Sequence, residues 1–236
     1  MLDALVAGER DPQVLAGYAK GSLSRKTAEL AEALRASRFT DHHAFMIGQH
    51  LTQIDQASAL IGQLDARIEE AMAPFRDARD ALTTIPGVSE QVADVIIAET
   101  GADMTVFDTA GRLASWAGVA PGSNESAGRV KSAKTRPGNS YLRGALGVAA
   151  MAAIKSKTSH LAPRYRRIAA RRGKLKALVA TEHAILTGVF HMLTTGTAWH
   201  DLGANYYAPD PERAKTNALR QLRALGYDVE LTPLAA

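Results

Sequence analysis

Apolar residues recur at spacings of three and four through nearly the whole of this chain, and strand-like alternation is confined to YDVEL at residues 227–231. That periodicity predicts a mainly α fold. The longest series runs through residues 42–73 as Leu51, Ile54, Ser58, Ile61, Asp65, Ile68 and Met72, so two of its seven seam positions are polar. Such a seam predicts a short, imperfect antiparallel coiled coil with the helical segment before it, rather than a long parallel zipper. That earlier segment, residues 11–35, carries Leu23, Leu30 and Leu34 and opens on Asp11 and Pro12, an N-cap and first-turn pair. Residues 1–74 are therefore expected to form an antiparallel helical arm, a device suited to oligomer assembly.

Pro74 ends the arm, and residues 75–236 are expected to form a compact all-α domain. Its first feature is LTTIPGVS at residues 82–89, followed by Val92, Ala93, Ile96 and Ile97 at helical spacing. Residues 82–101 resemble a helix-hairpin-helix, in which Gly87 permits the tight turn while the backbone N–H groups near Val88 and Ser89 hold a phosphate. An ordinary helix–turn–helix corner with Ser89 as N-cap accounts for the same residues. Further helices are expected at 107–116, opened by Asp108, and at 141–158, rich in small residues. A basic helix at 163–172 is stopped by Gly173, a long buried one spans 174–199, and a last one covers 211–225.

Charge separates these parts more sharply than the overall balance of +4 suggests. Residues 129–176 hold 14 Lys and Arg and no Asp or Glu; the remainder carries 14 basic against 24 acidic residues, a net −10. A stretch so one-sided predicts a surface for a polyanion, nucleic acid above all, since a merely solvated helix face intersperses acids at i,i+4. The absence of cysteine excludes disulfide scaffolds, zinc ribbons and thiol nucleophiles, and points to a reducing cytoplasm or nucleoid. Neither a signal peptide nor a membrane span is expected.

Residues 118–143 concentrate glycines, hydroxyls and five basic side chains, Arg129, Lys131, Lys134, Arg136 and Arg143, with no apolar periodicity. They are expected to form an irregular basic loop. Two readings fit. The loop can grip phosphates without catalysis, or one of its serines can attack a phosphodiester while the cations stabilise charge on the phosphoryl oxygens.

Several co-linear blocks carry a resemblance: IPGV at 85–88, ASWAGVAP at 114–121, ESAGRVK at 125–131, RPGNSYLR at 136–143, and the tail DLGANYYAPDPER with LRALGYDVELTP. Together they resemble the C-terminal part of the insertion-sequence transposases of family 110, relatives of the Piv DNA invertases. DPQVLAGYAKG and FTDHHAF are similar to the arm that precedes this part. The resemblance implies DNA transposition and recombination through a nucleophilic serine, which falls on Ser126, with Ser123 its neighbour. It implies DNA contacts through Gly87, Val88, Ser89, Arg129, Lys131, Lys134, Arg136, Asn139 and Arg143, and a dimer or tetramer built by the arm. Some members use a guide (bridge) RNA, which makes such an RNA a further partner. Ala127 departs from the glycine common in the family after the serine.

In that family a RuvC-like domain with four metal-binding acids precedes the arm, and no such strand-rich acidic region stands in this sequence. Metal ions there activate the reacting oxygens, so Mg is expected only with such a domain and this chain is expected to be inactive by itself. Asp55, Asp65, Glu69 and Glu70 have the spacing of a solvated arm face. His42, His43, His183 and His191 lack metal-site spacing, and capping and core roles are expected for them. Trp116, Tyr141 and Trp199 are expected in apolar clusters rather than as base-stacking platforms.

Overall fold

The computed structural model describes residues 1–122, 124–132, 134–207 and 211–230. Among these residues the chain forms eleven α-helices, three 3-10 turns and one two-stranded ribbon, in two compact units, Met1–Ala73 and Pro74–Ala236. The mainly α expectation holds.

The first unit contains α1 (Leu2–Val6), α2 (Pro12–Gly17), α3 (Thr27–Ala36) and α4 (Asp41–Met72). Asp11 caps α2 by accepting from the Gln13 N–H at 2.8 Å. Arg10 ties the α1–α2 junction to α4's approach, donating to the Leu5 carbonyl and lying 4.5 Å above the Phe39 ring. Thr40 opens α4, with the His43 ring accepting from the Thr40 N–H at 3.1 Å in a capping box. A small core of Leu5, Leu15, Ala16 and Ala31 results.

The intramolecular coiled coil expected of the arm does not form. α3 packs on α2, and α1 is the element that packs against α4. Length explains it, because ten residues of α3 reach about 15 Å while the 32 of α4 reach about 48 Å. Every residue from Thr52 to Ala71 is consequently exposed, Ile54, Ile61, Leu64 and Ile68 included.

The second unit is built around α10 (Lys174–Thr195), against which α5 (Arg76–Thr83), α7 (Ala110–Trp116), α8 (Ser140–Ala153) and α9 (Leu161–Arg172) pack; α6 (Glu90–Thr100) lies between α5 and α8. Leu82, Ile96, Ile97, Leu113, Leu142, Leu146, Leu161, Ile185, Leu186 and Val189 are fully buried where these helices meet. α10 is apolar and long enough to span a membrane by composition, but Ile185, Leu186 and Val189 face this protein core. α11 (Pro211–Ala224) follows.

Three local expectations change. Thr109, not Asp108, caps α7, its hydroxyl accepting from the Arg112 N–H, while Asp108 pairs with the Arg112 side chain. Residues 227–230 form no strand, since the Tyr227 N–H turns back to the Leu222 carbonyl at the end of α11; Leu231 lies outside the described residues. Tyr141 is 74% exposed instead of packed in a cluster, because Leu142 and Leu146 take the core-facing side of α8.

Candidate nucleic-acid interface

The described residues between 118 and 138 form a stalk tipped by a hairpin rather than a wholly irregular loop. Its two legs touch backbone to backbone at glycines. A Cβ on Gly138 would stand 2.3 Å from the Gly118 nitrogen, and one on Gly122 would stand 2.4 Å from the Lys134 carbonyl oxygen. Gly118 itself has φ +74°, a conformation that leaves room for the crossing and that other residues rarely adopt. The Asn139 N–H donates to the Trp116 carbonyl, fastening the base of the stalk to the end of α7.

The tip is a hairpin of β1 (Asn124–Ser126) and β2 (Arg129–Ser132), antiparallel, with Ser126 opposite Arg129 and Glu125 opposite Val130. Ala127 and Gly128 turn the chain at φ +51° and +74°, the positive angles of a two-residue type I′ connection. Directly opposed residues share a face and successive residues alternate. Ser126 and Arg129 therefore project to one side, and Glu125 to the other. Ser126, Arg129 and Lys131 are all exposed. Below the tip, Ser132, Lys134, Thr135, Arg136, Pro137 and Arg143 line an open cleft between the returning leg and α8. The sequence-predicted cations Arg129, Lys131, Lys134, Arg136 and Arg143 thus fall on one continuous segment, from hairpin to first turn of α8. Ser123 lies outside the described residues.

Other predicted contacts have structural duties. Gly87, at φ +93°, turns its Cβ-less side to α8, where an added methyl would stand 2.3 Å from the Ala149 carbonyl oxygen. Val88 is buried and its N–H donates to the Ile85 carbonyl; the Ser89 hydroxyl accepts from the Val92 N–H as the N-cap of α6. Arg79 and Asp94 join α5 to α6 through a two-pronged contact at 2.8 Å, both mostly buried. Asn139 caps α8, accepting from the Leu142 N–H at 2.9 Å while its amide donates to Glu99.

Two acidic positions, one buried and one half-buried, carried no sequence signal beyond being isolated acids. Glu182, on α10, is 5% exposed and sits against Gly147 of α8. Burial pushes its carboxyl up, and the Arg143 charge offsets part of that rise. Burial also pushes the Asp201 carboxyl up, but hydrogen bonds from Ser159, His160, Gly203 and Trp199 outweigh it and hold that group well below the usual carboxylate range. The His160 ring stacks on Trp199, whose ring lies over Gly188 of α10, and the Trp199 N–H donates to Thr84 at 3.0 Å. This knot fastens residues 199–203 to the core. His183 is depressed by burial and by Arg164. Among the described residues no group of three His, Asp or Glu converges as a metal site.

Residues 79–166, the span from α5 to the middle of α9 that contains the whole stalk, match the family model described as transposase IS116/IS110/IS902 family. That segment is similar to the IS110 transposase family. The chain is 30% identical over 145 residues to the insertion element IS110 uncharacterized 43.6 kDa protein of Streptomyces coelicolor, an alignment covering 61% of this chain and 34% of that protein. It is also 30% identical over 149 residues to the insertion element IS900 uncharacterized 42 kDa protein of Mycobacterium paratuberculosis, covering 56% of this chain and 37% of that one. The chain spans about a third of the length of these curated relatives.

Proposed function

We propose that this chain is the arm and serine-bearing part of an IS110-family DNA transposase, holding DNA by its phosphates and presenting Ser126 to one of them. The observation that carries the reading is the pairing of Ser126 with Arg129 on one face of an exposed hairpin. In strand cleavage the Ser126 oxygen forms a bond to phosphorus, the phosphodiester bond to one deoxyribose oxygen breaks, and that oxygen leaves with the electron pair. Arg129, across the hairpin, offsets the charge that builds on the phosphoryl oxygens. Lys131, Lys134, Arg136 and Arg143 hold the flanking backbone, while Gly87, Val88, Ser89 and Asn139 shape the surface.

The same hairpin argues that the chain by itself binds without cutting. A serine hydroxyl needs a base to take its proton, and Glu125, the neighbouring carboxylate, projects to the opposite face. A divalent metal does not fit the residues present, because no acids converge among those described and Asp55, Asp65, Glu69 and Glu70 lie on exposed α4. A base and metal ligands would be supplied by a RuvC-like part of the kind the family resemblance implies. The non-catalytic reading, a module that binds branched DNA and oligomerises, describes the isolated chain.

The bare stripe on α4 supports self-association through the arm, since Ile54, Ile61, Leu64 and Ile68 repeat at coiled-coil spacing and remain exposed. The test is binding of the purified chain to an insertion-element end with magnesium, followed on denaturing gels. Affinity falling steeply between about 50 and 200 mM salt, with no adduct, is expected. Salt-independent binding overturns the phosphate contacts, and a Ser126-dependent covalent adduct overturns inactivity in isolation.

A further inference from the structure

The corner between α9 and α10 is used by neither the stalk nor the core. Gly173, at φ +86°, turns the chain there, with Arg171 and Arg172 closing α9 and Lys174, Leu175 and Lys176 opening α10. All are exposed, and Leu175, at 81%, is the most exposed large apolar side chain among the described residues. A single exposed leucine is ordinary. Its surroundings are not: four cations lie within four positions of it, and none forms an ion pair among the described residues.

Two features separate this corner from a solvated surface. Residues 129–181 hold no acid, so no carboxylate neutralises the corner locally. Lys174 and Lys176 also stand in the first turn of α10, where the helix dipole disfavours cations, an arrangement that lowers stability unless an anion is bound. Arg167, one turn before Arg171, lies over the Tyr207 ring at 5.6 Å, which holds that end of α9 in place.

We infer that the α9–α10 corner is a second DNA contact, in which Arg171, Arg172, Lys174 and Lys176 take the phosphates on either side of a groove and Leu175 enters a base step as an apolar wedge. Small apolar side chains set among cations partly unstack and kink duplexes this way, most readily at mismatched or flexible steps. The inference rests on the DNA-binding reading above but uses different residues. It supplies a preference for distorted duplex that the phosphate-holding stalk does not.

The test uses the full chain, a duplex of about 30 base pairs with 2-aminopurine beside one mismatched pair, and the matched control. Wild type is expected to raise the 2-aminopurine fluorescence and to prefer the mismatched duplex. Leu175→Ala, which removes little buried surface, is expected to abolish both while changing affinity for the matched duplex less than about threefold. Lys174→Gln with Lys176→Gln is expected to lower affinity for both duplexes and reduce the salt slope by about two contacts. Salt-dependent binding of the wild type with no fluorescence gain, or a gain that survives Leu175→Ala, overturns the wedge and leaves the stalk reading intact. No salt-dependent binding to either duplex overturns the underlying DNA reading as well. Phosphatidylserine vesicles are the third arm: Leu175-dependent vesicle binding without the 2-aminopurine response assigns the corner to a lipid surface and overturns the proposal.

Discussion

Ser126 and Arg129 face each other across a hairpin turn whose first residue, Ala127, is held at φ +51°. A nucleophile candidate and a cation are thereby locked to one face by backbone pairing alone, with no side-chain network needed to aim them. Arg129→Gln is expected to weaken binding to duplex DNA and to lower the salt slope by about one phosphate contact, measured by titration at several salt concentrations. An unchanged slope would remove Arg129 from the interface.

Ala127 occupies a left-handed position that a Cβ disfavours by about 1 kcal/mol. Ala127→Gly should therefore slow opening of the hairpin, offset partly by the greater freedom of glycine in the open chain. Amide exchange at the β1 and β2 residues checks this: slower exchange is expected there, with global stability nearly unchanged.

Gly87→Ala acts elsewhere. Its methyl would meet the Ala149 carbonyl oxygen at 2.3 Å from a backbone already at φ +93°, so overpacking and strain combine. A loss of about 3 kcal/mol or more is expected in denaturant unfolding. Loss of DNA binding with native stability would instead show that Gly87 serves phosphate approach.

Glu182, buried, and Asp201, half-buried, have opposite signatures. Glu182 is raised in the folded state, so its contribution is fully present below the ordinary value of 4.5 and is lost as pH rises through the folded value. Glu182→Gln should flatten that decline. Asp201 is lowered, so its contribution is present above the ordinary value of 3.8 and is lost as pH falls through the folded value. Asp201→Asn should destabilise the protein near neutrality and remove part of the acid-induced loss, both read from urea unfolding across pH.

The exposed seam of α4 predicts concentration-dependent assembly. Ile61→Glu with Leu64→Glu should shift the chain toward monomer in sedimentation equilibrium while leaving its helicity unchanged, because both side chains are exposed in the single chain. Assembly unaffected by the pair would place the interface outside the arm.

Local chemistry determined most of the secondary structure. Asp11 with Pro12, Ser89 and Gly173 mark helix ends because capping and turning depend on near neighbours in the chain. The basic run 129–176 was equally legible, since charge composition needs no fold to be counted. What the sequence could not determine depended on contacts between distant segments. Gly118 and Gly138 stand twenty positions apart, and only their crossing turns an aperiodic basic segment into a stalk. Gly87 suggested a phosphate turn, and its close approach to α8 is a contact that only the fold creates; Tyr141 suggested a core residue until Leu142 and Leu146 took that face of the helix. The arm's seam was visible, but whether α3 could cover it depended on relative helix length and on α3 already packing against α2. Residue spacing determines which faces are apolar, whereas tertiary packing decides which of those faces are covered, because burial is a property of the pair and not of either helix.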